Sequence, residues 1–319
     1  MAKELTHRTL EVNGIRMHVA EQGDGPLVLL AHGFPELWYS WRHQLPALAA
    51  AGYRVVAPDM RGYGDTDAPA DIADYSILHL VGDLVALVAA LGEKQAYIVG
   101  HDWGASVAWQ AALLRPDVFP AIAALSVPAR RRGPKAPLSM LRAAGFPNFY
   151  WIYFQTPGVA EAELERDPAL TFRSLMQAPR AGAGSPLNVP EGQGWLAAMP
   201  EPSGLPPGYA QADLDVLVST FRRTGFRGGL NWYRNLDRNW ALTAPFEGVQ
   251  VHQPSLFLAG TLDGVIRGPM GEAALRDLAQ VAPGLRRKVL IDGAGHWVNE
   301  ERPEEVNAEL IRFLDEVRS

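Results

Sequence analysis

The sequence predicts an α/β fold: a mostly parallel sheet flanked by helices, with a helical lid inserted before the last strands. Three observations predict it. Short unbroken apolar runs recur from Leu27 to Ile291, as strands buried on both faces require. Stretches of helical period separate several of them. The alternation lapses between Pro128 and Val249 and resumes at Ser255.

In chain order, Leu10 to Val12 and Ile15 to Val19 flank Asn13-Gly14, a two-residue hairpin signal. Strands are expected at Leu27 to Ala31, Tyr53 to Ala57, Ala96 to Val99, Ile122 to Leu125, Ser255 to Ala259 and Lys288 to Ile291. Helices are expected at Ile77 to Leu91, Ser106 to Leu114, Gly271 to Leu278 and Pro303 to Val317. The expected organisation is a sheet domain over 1–128, a mainly helical lid over 129–249 and the rest of the sheet domain over 250–319. Ala178 to Gly208, rich in Pro and Gly, is expected to form a long loop over the site.

Composition narrows the function. A chain of 319 residues that is 48% hydrophobic can bury a substantial core. A net charge of -6 argues against nucleic acid or an anionic membrane as a partner. The basic run Arg130-Arg131-Arg132 with Lys135 reads as a solvated loop. With no cysteine there is no disulfide, thiol nucleophile or thiolate metal site. The charged N-terminal stretch has no apolar signal core, and no apolar run reaches the ~18 residues of a membrane span. A cytoplasmic protein is the expectation.

The sharpest motif is Gly100-His101-Asp102-Trp103-Gly104, between an expected strand and an expected helix. Small residues two positions either side of Asp102 fit a nucleophile elbow, a turn too tight for side chains there. The plain alternative is an Asp that caps the helix. Ser106 falls one helical turn further on and reads as a packing residue. A carboxylate of pKa near ~3.9 is already ionised at neutral pH, so it can attack carbon without a base and form an ester.

Two partners follow in the order this arrangement uses: nucleophile, acid, histidine. Asp263 ends Leu258-Ala259-Gly260-Thr261-Leu262-Asp263, and His296 lies in Gly293-Ala294-Gly295-His296-Trp297. Both stand beyond strand ends, where open α/β sheets gather their active-site groups. Alone, each could be an ordinary loop residue; three correct types in the correct order argue otherwise. His32-Gly33-Phe34-Pro35-Glu36 follows an apolar strand, and the N–H groups of Phe34 and Trp103 are the expected oxyanion donors. The other histidines show no metal-ligand spacing, so no metal is expected.

On these motifs the chain resembles the epoxide hydrolases of the α/β-hydrolase superfamily. Asp59-Met60-Arg61-Gly62-Tyr63-Gly64 in the sheet domain adds to the likeness. So do two lid segments, Tyr153-Phe154-Gln155 with Pro157-Gly158-Val159-Ala160-Glu161, and Asn231-Trp232-Tyr233-Arg234-Asn235. The resemblance implies an eight-stranded α/β-hydrolase fold with a helical cap and no cofactor. It implies a small epoxide and water as reactants, and a monomer or homodimer. It further implies that Tyr153 and Tyr233 hold the epoxide oxygen, and that His32, Pro35 and Trp38 line the pocket with Trp103. A haloalkane dehalogenase would share the triad, but Phe34 stands where its second halide donor is often an Asn. A fluoroacetate-type dehalogenase would be expected to carry Arg in place of Trp103. A silent ligand-binding protein of the same fold is the third alternative.

Overall fold

The computed structural model describes residues 4–177 and 187–318. Among them β1 (Thr6–Val12) and β2 (Ile15–Gln22) form the expected hairpin, with Val12 opposite Ile15. Asn13 and Gly14 take φ of 46° and 77°. Positive φ at both central residues matches the strand twist and favours this residue pair.

Six further strands follow: β3 (Leu27–Ala31), β4 (Arg54–Pro58), β5 (Tyr97–His101), β6 (Ile122–Leu125), β7 (Ser255–Gly260) and β8 (Leu285–Ile291). The spatial order is β1-β2-β4-β3-β5-β6-β7-β8. Only the pairings of β2 with β1 and β4 are antiparallel. From β3 the chain passes through α1 (Gln44–Ala50) to β4 on one side. It then crosses through α2 (Ile77–Ala90) to β5 on the other side. The loops leaving β3 and β5 therefore diverge at a switch point, where such sheets open a crevice. The short α1 is the one sheet-domain connection that the sequence did not predict as a helix.

Both faces of the sheet are covered. Leu29, Val56, Ile98 and Phe257 pack toward α2 and α3 (Trp103–Leu114). Val28, Leu30, Val55, Val99, Leu256 and Leu258 pack against α1 and the final helix, Pro303–Arg318. This two-sided burial makes β3 to β7 read as unbroken apolar runs. Each fully buried Leu or Ile contributes roughly 1.5–3 kcal/mol.

Between β6 and β7 the chain builds α4 (Pro137–Ala143), α5 (Tyr150–Tyr153), α6 (Val159–Leu164), α7 (Pro168–Gln177), α8 (Gln211–Thr224), α9 (Arg227–Arg234) and α10 (Leu236–Leu242). Of the expected long loop, residues 178–186 lie outside the described residues. The remainder carries a 3-10 turn at Trp195–Ala198 and a bridge from Asn188 to Phe149. After β7 come α11 (Gly264–Arg267) and α12 (Pro269–Val281). Past β8 lie α13 (Val298–Glu301) and α14, the final helix. No helix among the described residues is long and apolar enough to cross a membrane.

The basic run lies in a loop with Arg130, Arg131 and Lys135 exposed, as expected, while Arg132 is only partly exposed. Arg132 pairs with Glu247 at 2.9 Å and lies 3.9 Å over the Trp240 ring. Arg131 donates to Gln280. Polar contacts tie the inserted segment to the sheet domain as well. Trp232 Nε1 donates to the carbonyl of Arg61 at 3.1 Å, and Arg42 lies 3.0 Å from Asp213 and 2.6 Å from Glu300.

Arg61 is itself held by Asp83 of α2 through bonds of 2.7 and 2.6 Å, with both side chains buried. Removing one member of such a pair strands the other charge, at a cost of about 3–5 kcal/mol. Asp83→Ala is expected to lower the melting temperature by several degrees in calorimetry. An Arg61→Met/Asp83→Leu double variant should recover much of the loss, because it leaves no uncompensated charge.

Candidate active site

The site grows from the end of β5. Asp102 adopts φ 50° and ψ -118°, an unfavourable conformation for a residue with a Cβ. Holding it costs of order 1–3 kcal/mol, which the surroundings must supply. A Cβ on Gly100 would stand 2.1 Å from the Gly104 carbonyl oxygen, and one on Gly104 would stand 1.9 Å from that of Ala31. The flanking glycines are therefore required by close backbone approach. Asp102 stands at the N-cap of α3 but makes no capping bond. Its Oδ1 instead accepts from the Phe34 N–H at 2.8 Å. That sets aside the reading of Asp102 as a helix cap.

His296 lies between two carboxylates. Its Nδ1 is 3.1 Å from both oxygens of Asp263, and its Nε2 is 3.5 Å from Oδ2 of Asp102. Asp263 is wholly buried and also accepts from the Val265 N–H, capping α11. Burial opposes charge on His296, but Asp263 and Asp102 outweigh it and hold its pKa well above the ordinary histidine value. Burial would raise the Asp102 pKa, yet its bond to His296 and the nearby imidazoles bring it below the usual carboxylate range. At neutral pH the resting site thus holds an ionised Asp102 beside an imidazolium.

The His296 main chain is anchored by residues outside the predicted set. Its carbonyl oxygen accepts from His101 Nε2 at 2.8 Å and from Ser126 Oγ at 2.7 Å. His101 Nδ1 meets Glu36 at 2.8 Å, and the same Glu36 oxygen accepts from the Gly33 N–H at 2.8 Å. Both ring nitrogens of His101 face acceptors, so the ring is an imidazolium. Burial opposes that charge, and Glu36 overcomes it, raising the pKa. Glu36 and His101 stood inside quoted motifs, but no local pattern marks them as partners.

The segment between β6 and β7 carries both expected tyrosines, Tyr153 on α5 and Tyr233 on α9, and they are placed differently. Tyr233 is buried, with its ring 5.1 Å from Trp103 and 5.4 Å from Phe34. Tyr153 turns away: its hydroxyl donates at 2.9 Å to Glu163, which also caps the Trp195 and Leu196 N–H groups. Its pKa is raised by burial and then by Glu163, with no influence from Asp102. Tyr150, one turn earlier on α5, takes the place expected for Tyr153. Its ring stacks on Trp195 at 5.0 Å and lies 5.9 Å from that of Tyr233. Burial and then the Asp102 charge raise the Tyr150 pKa, whereas for Tyr233 burial leads, followed by Tyr150 and Asp102. Both hydroxyls are therefore protonated and within reach of the Asp102 field.

The remaining expectations divide. Phe34 presents its N–H to Asp102, and Trp103 begins α3 beside it, so both flank the carboxylate. Pro35 is buried in the same turn, after a cis Phe34–Pro35 peptide. His32 is no pocket residue. It is wholly buried, its Nδ1 meets the Gly33 carbonyl at 3.0 Å, and its Nε2 accepts from the Met60 N–H at 2.9 Å. Burial lowers its pKa, so it is neutral and joins the loops after β3 and β4. Trp38 also lies elsewhere, edge-on to His7 at 4.8 Å and His18 at 6.3 Å beside the hairpin. Among the described residues no cluster of three or more His, Asp or Glu side chains could hold a metal ion.

A carboxylate at a strand-to-helix elbow, paired to a histidine and a second acid on this sheet, defines a class. The family model of the alpha/beta hydrolase fold matches residues 26–303. The chain is 49% identical to Epoxide hydrolase A of Mycobacterium tuberculosis, over 97% of each chain. It is 42% identical to Epoxide hydrolase 3 of Siraitia grosvenorii, over 98% of this chain and 99% of that one. The crystal structure of Epoxide Hydrolase A from Mycobacterium thermoresistibile superposes with a TM-score of 0.92 at 47% identity, covering 98% of both chains. The chain belongs to the epoxide hydrolases of the α/β-hydrolase family.

The charge balance at the elbow gives a direct test. Asp102→Asn removes one of the two carboxylates that raise the His296 pKa and leaves Asp263, the larger influence. The His296 titration, followed by imidazole NMR, should move to lower pH in that variant and stay above the ordinary histidine range. An unmoved midpoint would contradict the coupling.

Proposed function

We propose that this enzyme converts epoxides to vicinal diols in two steps through an ester on Asp102. The observation that carries the reading is the position of His296 between Asp102 and Asp263, with Tyr150 and Tyr233 close to each other and their hydroxyls under the influence of the Asp102 charge. In the first step an Asp102 oxygen attacks an epoxide carbon. The C–O bond breaks, its electron pair passes to oxygen, and Tyr150 or Tyr233 supplies the proton. Two donors suit a developing alkoxide better than one, because the charge is shared in a dry site.

Ester formation abolishes the Asp102 charge. The His296 pKa then falls, since one of its two stabilising anions is gone, and the imidazole can lose its proton. Neutral His296, oriented by Asp263, takes a proton from water. The resulting hydroxide attacks the ester carbonyl, and the Phe34 N–H that held Asp102 Oδ1 stabilises the oxyanion. Collapse breaks the ester C–O bond and His296 gives the proton it took from water to the departing oxygen, releasing the diol. The proton that His296 lost earlier restores the tyrosine, and the proton left on the new Asp102 carboxyl passes back to His296. One site thus serves as an ion pair at rest and as a base after alkylation. We extend the proposal to a lid over 129–249 that carries the tyrosines, and to these groups as the whole catalytic set.

Turnover of styrene oxide in heavy-oxygen water tests the route, with label expected in the peptide that carries Asp102. His296→Gln should trap the ester, visible as a mass increase equal to the substrate, with hydrolysis slowed about 10²–10⁴-fold. Tyr150→Phe and Tyr233→Phe should each slow ester formation by tenfold or more in stopped flow. Tyr153→Phe should stay within a factor of two. A large loss in Tyr153→Phe with none in Tyr150→Phe would reverse the tyrosine assignment.

A further inference from the structure

Tyr150 stands on a helix too short to hold itself. α5 spans only Tyr150–Tyr153, and an isolated turn of helix is not self-supporting. Its position is set from residues 187–196 instead. The Tyr150 N–H donates to the Leu187 carbonyl at 2.8 Å, and the Val189 N–H donates to that of Asn148 at 2.8 Å. Between them Phe149 and Asn188 form an antiparallel bridge. These bonds place the Tyr150 backbone. Its ring is placed by Trp195, which is buried and stacked on it at 5.0 Å, with the planes inclined by 10°. Phe154 meets both rings edge-on, Trp195 at 5.0 Å and Tyr150 at 5.4 Å.

Trp195 is in turn set by Glu163 of α6. One carboxylate oxygen accepts from the Tyr153 hydroxyl and from the Trp195 N–H, both at 2.9 Å, and the other accepts from the Leu196 N–H at 2.9 Å. Trp195 opens a 3-10 turn whose N-cap is Gly194, which has no side chain to satisfy those donors. The Glu163 carboxylate supplies the cap from across the fold. A Cβ on Gly194 would stand 2.0 Å from it, so the glycine leaves the carboxylate its room.

We propose that Glu163 and Trp195 are positioning residues for ester formation: Glu163 fixes the 195–198 turn, and the turn holds the Trp195 indole against Tyr150. The assignment rests on the reading of Tyr150 as a proton donor to the opening epoxide. A donor acts only within hydrogen-bond reach of the oxygen it protonates, and a small misplacement of it slows the step. The stack keeps the Tyr150 ring beside that of Tyr233, 5.9 Å away.

Single-turnover kinetics with styrene oxide separate ester formation from ester hydrolysis. Trp195→Ala should slow ester formation about three- to tenfold, the worth of one aromatic stack, and Trp195→Phe should recover part of the loss. Glu163→Ala should slow it similarly. Gly194→Ala should slow it in the otherwise unmodified enzyme and add nothing once Glu163 is replaced by alanine. Ester hydrolysis should stay within about a factor of two throughout. The decisive comparison is the Tyr150→Phe background, where the hydroxyl is gone. There Trp195→Ala should have almost no further effect, whereas a merely structural loss would slow both backgrounds alike. Equal factors in the two backgrounds, or hydrolysis slowed as much as formation, would overturn the assignment. Should Trp195→Ala fail to fold, Trp195→Phe and Gly194→Ala in the two backgrounds decide by the same criterion. If Tyr150→Phe forms ester at full rate, or no epoxide is opened, the donor reading fails. The positioning is then decided by fluorine NMR of enzyme carrying 3-fluorotyrosine in place of Tyr150. Glu163→Ala should shift that resonance more than Tyr153→Phe does; no shift, or an equal one in both, overturns the relay through Trp195.

Discussion

The site depends on one backbone conformation, the left-handed turn at Asp102. It turns the carboxylate out of the sheet and away from the helix it would otherwise cap. Two glycines permit it through backbone contacts no side chain could survive, between Gly100 and Gly104 and between Gly104 and Ala31. The Ala31 contact matters further, because it fixes β3 against α3 and so places the Phe34 N–H on Asp102. The strain is offset by a large core on both faces of the sheet. The Asp102 carboxylate and the Phe34 N–H that meets it are thus set by one packing constraint.

Charge is arranged with similar economy. Four ionisable groups lie close together in a desolvated region: Glu36, His101, Asp102 and His296, with Asp263 behind. His101 meets Glu36 through one ring nitrogen and the His296 carbonyl through the other, so it ties the His296 main chain to the loop after β3. Ser126 adds a second donor to the same oxygen. His296 can therefore change protonation without losing its place, since its backbone is held independently of its ring.

Much of this was legible in the sequence, for identifiable reasons. β3 and β6 fell where their apolar runs end, because a strand buried on both faces leaves no polar positions to blur its limits. The turns that carry Asp102, Asp263 and His296 stood out because they need glycines, and glycine spacing is visible in one dimension. Tyr150 and Tyr153 are one helical turn apart, and the sequence does not show that Tyr153 bonds Glu163 while Tyr150 stacks on Trp195. His32 and Trp38 failed for a related reason. A motif shows that a residue is constrained, not whether a substrate or a neighbouring loop constrains it. The Glu36–His101 pair spans 65 positions, and nothing local announces it.

The join between α8 and the elements around α13 follows a different rule from the core. Arg42 is stacked between Tyr39 and Tyr209 and bonds Asp213 of α8, Glu300 of α13 and the Gly208 carbonyl. Glu300 also accepts from Tyr209. Burial raises the Glu300 pKa to about 7 even with Arg42 beside it. A group whose folded pKa lies above its unfolded value stabilises the fold most below the unfolded value. That contribution is lost as pH rises through the folded one. Here the loss runs from near the ordinary glutamate value up to about 7, so around neutrality the clamp holds with a partly protonated acid. An apolar join of equal area would lack this dependence and would hold these elements by shape alone. The polar join sets register and strength separately: Arg42 fixes which residues meet, and Glu300, four positions after His296, sets how firmly they hold.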